Sequence, residues 1–288
     1  MKNNNKKVLI TGSCGFIGMH LSEKLRRDGY QVIGWDRKKV DLKDTKVVDN
    51  LPDVDIVVHL AAYNGTKWFY KKPFDVVLDN TLPTINLLNR YKNSIDRFVF
   101  SGTCESYAGS IELDSSYLPT PETVPLSITD ITNPRWSYGG SKIGNEISVV
   151  AAYEQFGMEF SIIRYHNIYG SGQVDHFFPE FIHKVKNGNL ELVGHKNTRS
   201  FLYIDDAIGY TQSLIESPKA RNNIINIGSS EEVTIRDVAQ IILDKMGVKE
   251  ELILKDSPQG SVMRRVPCTK KLHDICGNMT NTSLSHGI

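Results

Sequence analysis

The chain has 288 residues, 40% of them hydrophobic, and its 34 basic and 33 acidic side chains leave a formal charge of +1. Such a balance excludes a general affinity for nucleic acid or for an anionic membrane surface, and no apolar run approaches the ~20 residues of a membrane span. Four cysteines, Cys14, Cys104, Cys268 and Cys276, stand far apart without a CxxC pair, which fits reduced thiols in a cytoplasmic protein better than a disulfide framework or a zinc site.

Taken in chain order, β-branched apolar runs recur at VLIT (8–11), QVIGW (31–35), DIVVHLAA (55–62), RFVFS (97–101), FSIIRY (160–165) and NIINIG (223–228), with helical stretches between them. Lysines ahead of the first run give a superficial likeness to a signal peptide, but its apolar stretch is short and broken by glycines, so it reads as a strand. Buried strands alternating with helices predict an α/β fold with a doubly wound parallel sheet. Only 18 residues separate Asp36 from Asp55, too few for a helix, a strand and a second helix, so one sheet edge is expected to be trimmed. Past residue 170 the pattern loosens through GSGQVDHFFPEF, NGNLELVGHKN and SPQGSVMRRVP, which predicts a smaller C-terminal substrate-binding lobe over the carboxyl edge of the sheet. The expected division is 1–170 with about 199–228 in the sheet domain, and 171–198 with 229–288 in the lobe.

A glycine-rich turn follows the first strand. In KKVLITGSCGFIG, Gly12 allows the tight turn, Gly15 lets backbone approach a diphosphate and Gly18 lets the next helix pack close, the pattern of a Rossmann dinucleotide site. The helix MHLSEKLRRDG then offers free N–H groups and the positive end of its dipole to the phosphates. By itself such a triad is as often a turn without a ligand. Asp36 tilts the balance: it ends the next strand, 24 positions after Gly12, where a carboxylate accepts from ribose hydroxyls and repels a 2'-phosphate, favouring NAD over NADP. Arg37, Lys38 and Lys39 follow at once, and an arginine there would instead welcome that phosphate.

The second signature is Tyr138 and Lys142 in WSYGGSK, four residues apart and therefore on one face of a helix, despite two early glycines. Bringing a phenol from about 10 to near 7 takes about 4 kcal/mol. An ammonium about 4 Å away at an effective dielectric of about 20 supplies roughly that much and the positive nicotinamide would add to it, so Tyr138 would accept a hydroxyl proton while hydride leaves for the cofactor. An incidental surface pair is the bland alternative.

With these motifs in place, the chain resembles the extended short-chain dehydrogenase/reductases, in the branch of NAD-dependent nucleotide-sugar epimerases and dehydratases. The resemblance runs from Gly12 to Arg265 through TGSCGFIG, HLAA, FVFSGTCESY, YGGSK, RYHNIYG, RSFLYIDDA and NIG. It implies that Asp41 and Leu42 contact the adenine, that Leu60, Ala61 and Ala62 line the cofactor, and that Phe16, Ile17, Arg37, Asn80, Ser101 and Tyr165 complete its site. Thr103 then hydrogen-bonds the reacting sugar hydroxyl beside Tyr138. Asn167, Arg199 and Arg265 bind the sugar nucleotide, the arginines gripping its diphosphate as guanidinium forks suit phosphate oxygens, with Arg264 competing for the role of Arg265. In the segment NGTKWFYKKP, Lys67, Trp68 and Tyr70 would shape the sugar pocket, with Lys67 touching substrate, although packing is the commoner role of such aromatics.

The run Ser101 to Tyr107 separates the branches of the resemblance. In the 4,6-dehydratases a Thr-Asp-Glu run provides acid and base; here Cys104 replaces the Asp while Glu105 keeps the base position. In GDP-mannose 3,5-epimerases the matching position is a catalytic cysteine, but their second base, a lysine, falls near Phe177, with His176 adjacent. The resemblance thus implies epimerisation through a transient 4-keto sugar, with Glu105 either deprotonating a neighbouring carbon or only hydrogen-bonding the sugar. A 4,6-dehydratase, an NAD(P)H-dependent 4-ketoreductase and a non-catalytic dinucleotide sensor are the alternatives. The family also implies a homodimer through two helices, here about 74–92 and 139–156. It commonly continues with a further helix past TSLSHGI, so either a short gene product or a lobe that closes differently is expected.

Overall fold

The structure is a computed structural model that describes residues 5–37, 40–257 and 262–288; Lys38, Lys39 and the 258–261 part of the SPQGSVMRRVP segment lie outside the described residues. The chain forms β1 (Lys7–Thr11), α1 (Phe16–Arg27), β2 (Gln31–Trp35), α2 (Thr45–Asp49), β3 (Ile56–His59), α3 (Thr66–Lys71), α4 (Pro73–Tyr91), β4 (Arg97–Thr103), α5 (Ala108–Leu113), α6 (Trp136–Phe156) and β5 (Phe160–Tyr165). Then follow β6 (Ile168–Tyr169), α7 (Phe177–Lys186), β7 (Glu191–Val193), β8 (Thr198–Ser200), β9 (Leu202–Tyr203), α8 (Ile204–Glu216), β10 (Asn223–Ile227), β11 (Glu232–Thr234), α9 (Ile235–Met246), β12 (Ile253–Lys255), β13 (Arg264–Arg265), α10 (Lys270–Cys276) and α11 (Leu284–Gly287).

Six strands pair in the order β2-β1-β3-β4-β5-β10, every pair parallel. Successive side chains of a strand face opposite sides, so β1 sends Val8 and Ile10 to one layer and Leu9 to the other. The first layer packs Leu21 and Leu25 of α1 against Ile208 and Leu214 of α8; the second packs Leu87 and Tyr91 of α4 with Val149 of α6. Burying each such aliphatic side chain contributes about 1.5–3 kcal/mol against exposure, which fixes the register of all six strands. Only the short α2 lies between β2 and β3, and the chain crosses to the far side of β1, leaving β2 as the edge strand. The edge is trimmed, as the spacing of Asp36 and Asp55 predicts. The connections leaving β1 and β3 run to opposite sides at this point, opening a crevice above the carboxyl ends of these two strands.

The lobe has its own apolar cluster, in which Phe178, Phe181 and Val185 of α7 meet Val238, Ile242 and Leu243 of α9. In it β8 pairs with both β11 and β13, while α10 turns back so that Leu272 joins the sheet layer of α1 and α8. Among the described residues no helix is long and apolar enough to cross a membrane, and no cluster of metal-binding side chains occurs.

Candidate active site

The glycine turn stands at the head of β1. Gly12 has φ +71°, and a Cβ on it would lie 2.8 Å from the Ala61 nitrogen at the end of β3. A Cβ on Gly18 would lie 2.1 Å from the Gly12 carbonyl oxygen, so α1 can approach the turn this closely only with glycine there. Gly15 caps α1 with no side-chain hydrogen bond, and no acid stands in the first turn, leaving an uncompensated positive helix end facing the crevice. Beside it a recess of about 420 Å³ is bounded by Ser13, Cys14, Met19, Ser22, Arg26 and Gly34. An uncapped helix end beside a recess fits a dinucleotide diphosphate. A smaller recess of about 130 Å³, among Lys6, Tyr30, Asp96, Arg97, Glu216 and Arg221, opens at the opposite edge of the sheet; Lys6 pairs with Asp96 and Tyr30 bonds Glu216, so it belongs to the packing there.

Around this turn the other cofactor candidates divide. Asp36 directly follows β2, and Phe16 and Ile17 open α1 with their rings and methyls against the first apolar layer. Arg37 is engaged by Asp79 of α4 at 2.7 Å, and Lys43 reaches the same carboxylate at 2.6 Å. Leu42 is buried in the second core layer, so of the adenine pair only Asp41 stays exposed at the rim. Leu60, Ala61 and Ala62 continue from β3, and the Ala61 N–H donates to Thr11 Oγ1 at 3.3 Å. Asn80 is 1% exposed; its Oδ1 accepts from the Tyr63 N–H at 2.7 Å and its backbone carbonyl accepts from Asn145 Nδ2, so it ties the loop after β3 to α6. The Tyr165 hydroxyl meets Thr211 of α8 at 2.9 Å, under the sheet rather than in the crevice.

The catalytic candidates meet at the carboxyl end of β4. The Thr103 side chain lies close enough to the Tyr138 phenol to pull its pKa down, and its Oγ1 accepts the Glu105 N–H at 3.2 Å. One turn along α6, Lys142 donates from Nζ to the Ser101 carbonyl at 2.9 Å. Its ammonium lies 6.0 Å from the centre of the Tyr138 ring. Burial therefore dominates: it pushes the Tyr138 phenol above its ordinary value against the pull of Thr103, and it lowers Lys142 to about 8 although Glu146 works the other way. Lys142 alone therefore does not render the phenol acidic, and the positive nicotinamide expected beside it would have to add to the pull.

Glu105 sits between two guanidiniums. Arg265 reaches Oε1 at 2.8 Å, and Arg135, the residue preceding α6, reaches Oε2 at 3.2 Å. Burial would raise this carboxyl, but the two cations overrule it and hold it below the ordinary carboxylate range, Arg265 contributing most. Arg264, the rival of Arg265, instead forks onto Glu232 at 2.8 Å on the outer side of the lobe. Arg199 donates to the carbonyls of Thr198 (2.7 Å), Val262 (2.9 Å) and Met263 (3.3 Å), which fixes its guanidinium to the lobe backbone close to Arg265. Asn167 is held by the Ser200 carbonyl at 3.0 Å, and its backbone bonds the Cys104 thiol. Burial pushes that thiol up, so Cys104 is a protonated group at neutral pH. Lys67 is the outlier, its ammonium 5.2 Å from the Trp68 ring on α3.

Three side chains at the site escape motif reading. Phe69 stacks on the Tyr138 ring with centroids 4.9 Å apart, Arg135 clasps Glu105, and Glu146 binds Arg164 at 2.6 Å beneath Lys142. Glu146, four positions after Lys142, was accessible from helical spacing; the other two arise from tertiary packing.

The family model described as "NAD dependent epimerase/dehydratase family" matches residues 8–228. A putative UDP-glucose 4-epimerase of Methanocaldococcus jannaschii is 30% identical, with 98% of this chain and 95% of that protein covered. A UDP-N-acetyl-alpha-D-glucosaminuronate decarboxylase of Bacillus cytotoxicus is 29% identical over 98% and 95%. Among solved structures, the UDP-glucuronic acid 4-epimerase of Bacillus cereus in complex with UDP-glucuronic acid and NAD superposes with a TM-score of 0.82 at 26% identity, over 98% of this chain and 96% of that one.

Proposed function

We propose, for a chain that belongs to the NAD-dependent epimerase/dehydratase family, that it epimerises a nucleotide-activated sugar through a transient 4-keto intermediate. The observation that carries this reading is the convergence of Tyr138, Thr103 and Glu105 at the carboxyl end of β4, with Lys142 on the Ser101 carbonyl at 2.9 Å behind them. Thr103 orients the sugar hydroxyl and Tyr138 accepts its proton. Gly12, Gly15 and Gly18, with Asp36 at the ribose, would hold NAD, which would supply the reversible hydride acceptor. The phenol, raised by burial, needs a further positive charge nearby before it can act as base, which an oxidised nicotinamide would supply. Arg199 and Arg265 receive the diphosphate, and Asn167 and Lys67 border the sugar. Glu105, ionised at neutral pH, faces the carbons next to the ketone as base or hydrogen-bond partner.

Dehydration is disfavoured because the Cys104 thiol, raised by burial, is a weak acid for expelling hydroxide. A second reading, decarboxylation, has a specific motive: two guanidiniums converge at Glu105, and oxidation at C4 of a uronate gives a β-keto acid that loses carbon dioxide without the missing Asp. Incubation with UDP-, GDP-, CDP- and dTDP-hexoses and hexuronates separates these outcomes. Epimerisation inverts a centre with no net change at the nicotinamide band, decarboxylation releases carbon dioxide, and a ketoreductase consumes reduced cofactor. Tyr138→Phe is expected to lower turnover at least about 100-fold; turnover unchanged by it overturns the mechanism. Glu105→Gln is expected to stop solvent deuterium entering the sugar while C4 hydride transfer continues.

A homodimer through α4 and α6 belongs to the same reading. Its support is the run of exposed apolar side chains on these packed helices, Phe74, Val77, Leu82 and Ile85 on α4 and Ile147 on α6.

A further inference from the structure

We propose that Arg135 is the positioning residue that keeps the Glu105 carboxylate ionised and aimed into the site when a nucleotide diphosphate draws Arg265 away. The inference rests on the nucleotide-sugar reading only for the identity of the competing anion. Glu105 divides its oxygens: Oε1 belongs to Arg265, carried by β13 of the lobe, and Oε2 to Arg135, carried by the segment leading into α6. The groups facing this carboxylate are Arg265 and Arg199 from the lobe, Arg135 and Tyr138 from α6 and its approach, and the adjoining Cys104. Arg199 is fixed on backbone carbonyls, so Glu105 is the anion that balances its neighbour Arg265.

A diphosphate offers several anionic oxygens in the geometry a guanidinium fork prefers, and it outcompetes a single carboxylate oxygen for Arg265. Glu105 then loses its 2.8 Å partner. A largely buried carboxylate without a cation protonates rather than remain charged, and a protonated Glu105 neither abstracts a proton nor accepts from the sugar. Arg135 prevents this. Its side chain is 19% exposed and that of Glu105 26%, so the pair is shielded from the screening that makes surface pairs worth little. The Trp136 ring, 5.6 Å from the Arg135 guanidinium carbon, supports that placement. Arg135 also stands three positions before Tyr138, so the same contact sets where the carboxylate lies relative to the phenol.

The test is a 13C NMR titration of the NAD-saturated protein carrying δ-13C glutamate, with the Glu105 signal assigned by its loss in Glu105→Gln, and with UDP as the diphosphate probe. The wild-type signal is expected to titrate below the ordinary carboxylate range with and without UDP. In Arg135→Gln it moves to higher pH, by more with UDP than without, while Arg135→Lys, which keeps the charge, restores most of the wild-type behaviour. Where Glu105 acts as the base, solvent deuterium incorporation into the sugar falls at least about tenfold at pH 6 in Arg135→Gln, with KM nearly unchanged. Identical titrations of wild type and Arg135→Gln in both states overturn the proposal, as does a lysine variant no better than glutamine. If UDP leaves the wild-type Glu105 signal unmoved, the diphosphate role of Arg265 falls, and the UDP-free comparison still decides the role of Arg135.

Discussion

Lys142 is 2% exposed, and its ammonium donates to a neutral carbonyl. Its value of about 8 lies below the ordinary 10.5, so the folded chain holds this proton less tightly than the unfolded one. The resulting cost is fully present below pH 8 and fades as pH rises from about 8 to 10.5. Lys142→Met, which keeps the volume and drops the charge, is therefore expected to abolish turnover and yet to stabilise the protein at pH 7 by about 3 kcal/mol or somewhat less, the lost Ser101 contact subtracting from it. Urea unfolding at pH 7 and pH 9.5 reads this out, with the gain shrinking at the higher pH. The tyrosine and lysine were legible in YGGSK because i, i+4 spacing on a helix is a local rule. Their separation was not, because it depends on where β4 presents the Ser101 carbonyl.

At the scale of elements, the six strands and the long helix α6 were legible because β-branched runs and the 3.6-residue period survive any tertiary setting. The pairing of β8 with β13, which brings Arg199 beside Arg265, was not, since two- and three-residue strands carry no periodic signal. Nor was the buried network joining α6, β5 and the segment after β4. There Arg164 donates to Glu146 at 2.6 Å and to the Tyr107 hydroxyl at 2.6 Å, and that hydroxyl donates to Asn226 of β10 at 2.9 Å. Glu146→Gln leaves the Arg164 charge poorly paired where both side chains are at most 5% exposed, and is expected to cost about 3–5 kcal/mol. Replacing both residues together, Glu146→Leu with Arg164→Met, is expected to cost much less, and a double-mutant cycle by chemical unfolding measures the difference.

For the whole molecule, the homodimer reading makes the exposed face of α4 and α6 decisive. Phe74 is 71% and Ile147 65% exposed in the single chain. A joint Phe74→Asp, Ile147→Asp change is expected to turn a dimer into a monomer in sedimentation velocity without unfolding it; a wild-type protein that sediments as a monomer removes the dimer. The junction of lobe and sheet has a consequence of a different kind. Thr120 donates to the Val266 carbonyl and accepts from the Cys268 N–H, each at 2.8 Å, and the Glu105–Arg265 contact bridges the same seam. Two bodies basted together by these main-chain stitches, which remain when a diphosphate takes Arg265 from Glu105, have no hinge to swing on. The radius of gyration in small-angle scattering should accordingly stay constant when UDP-glucose is added, and calorimetry should give one melting peak, with ligands threading in past side chains while the lobes hold still.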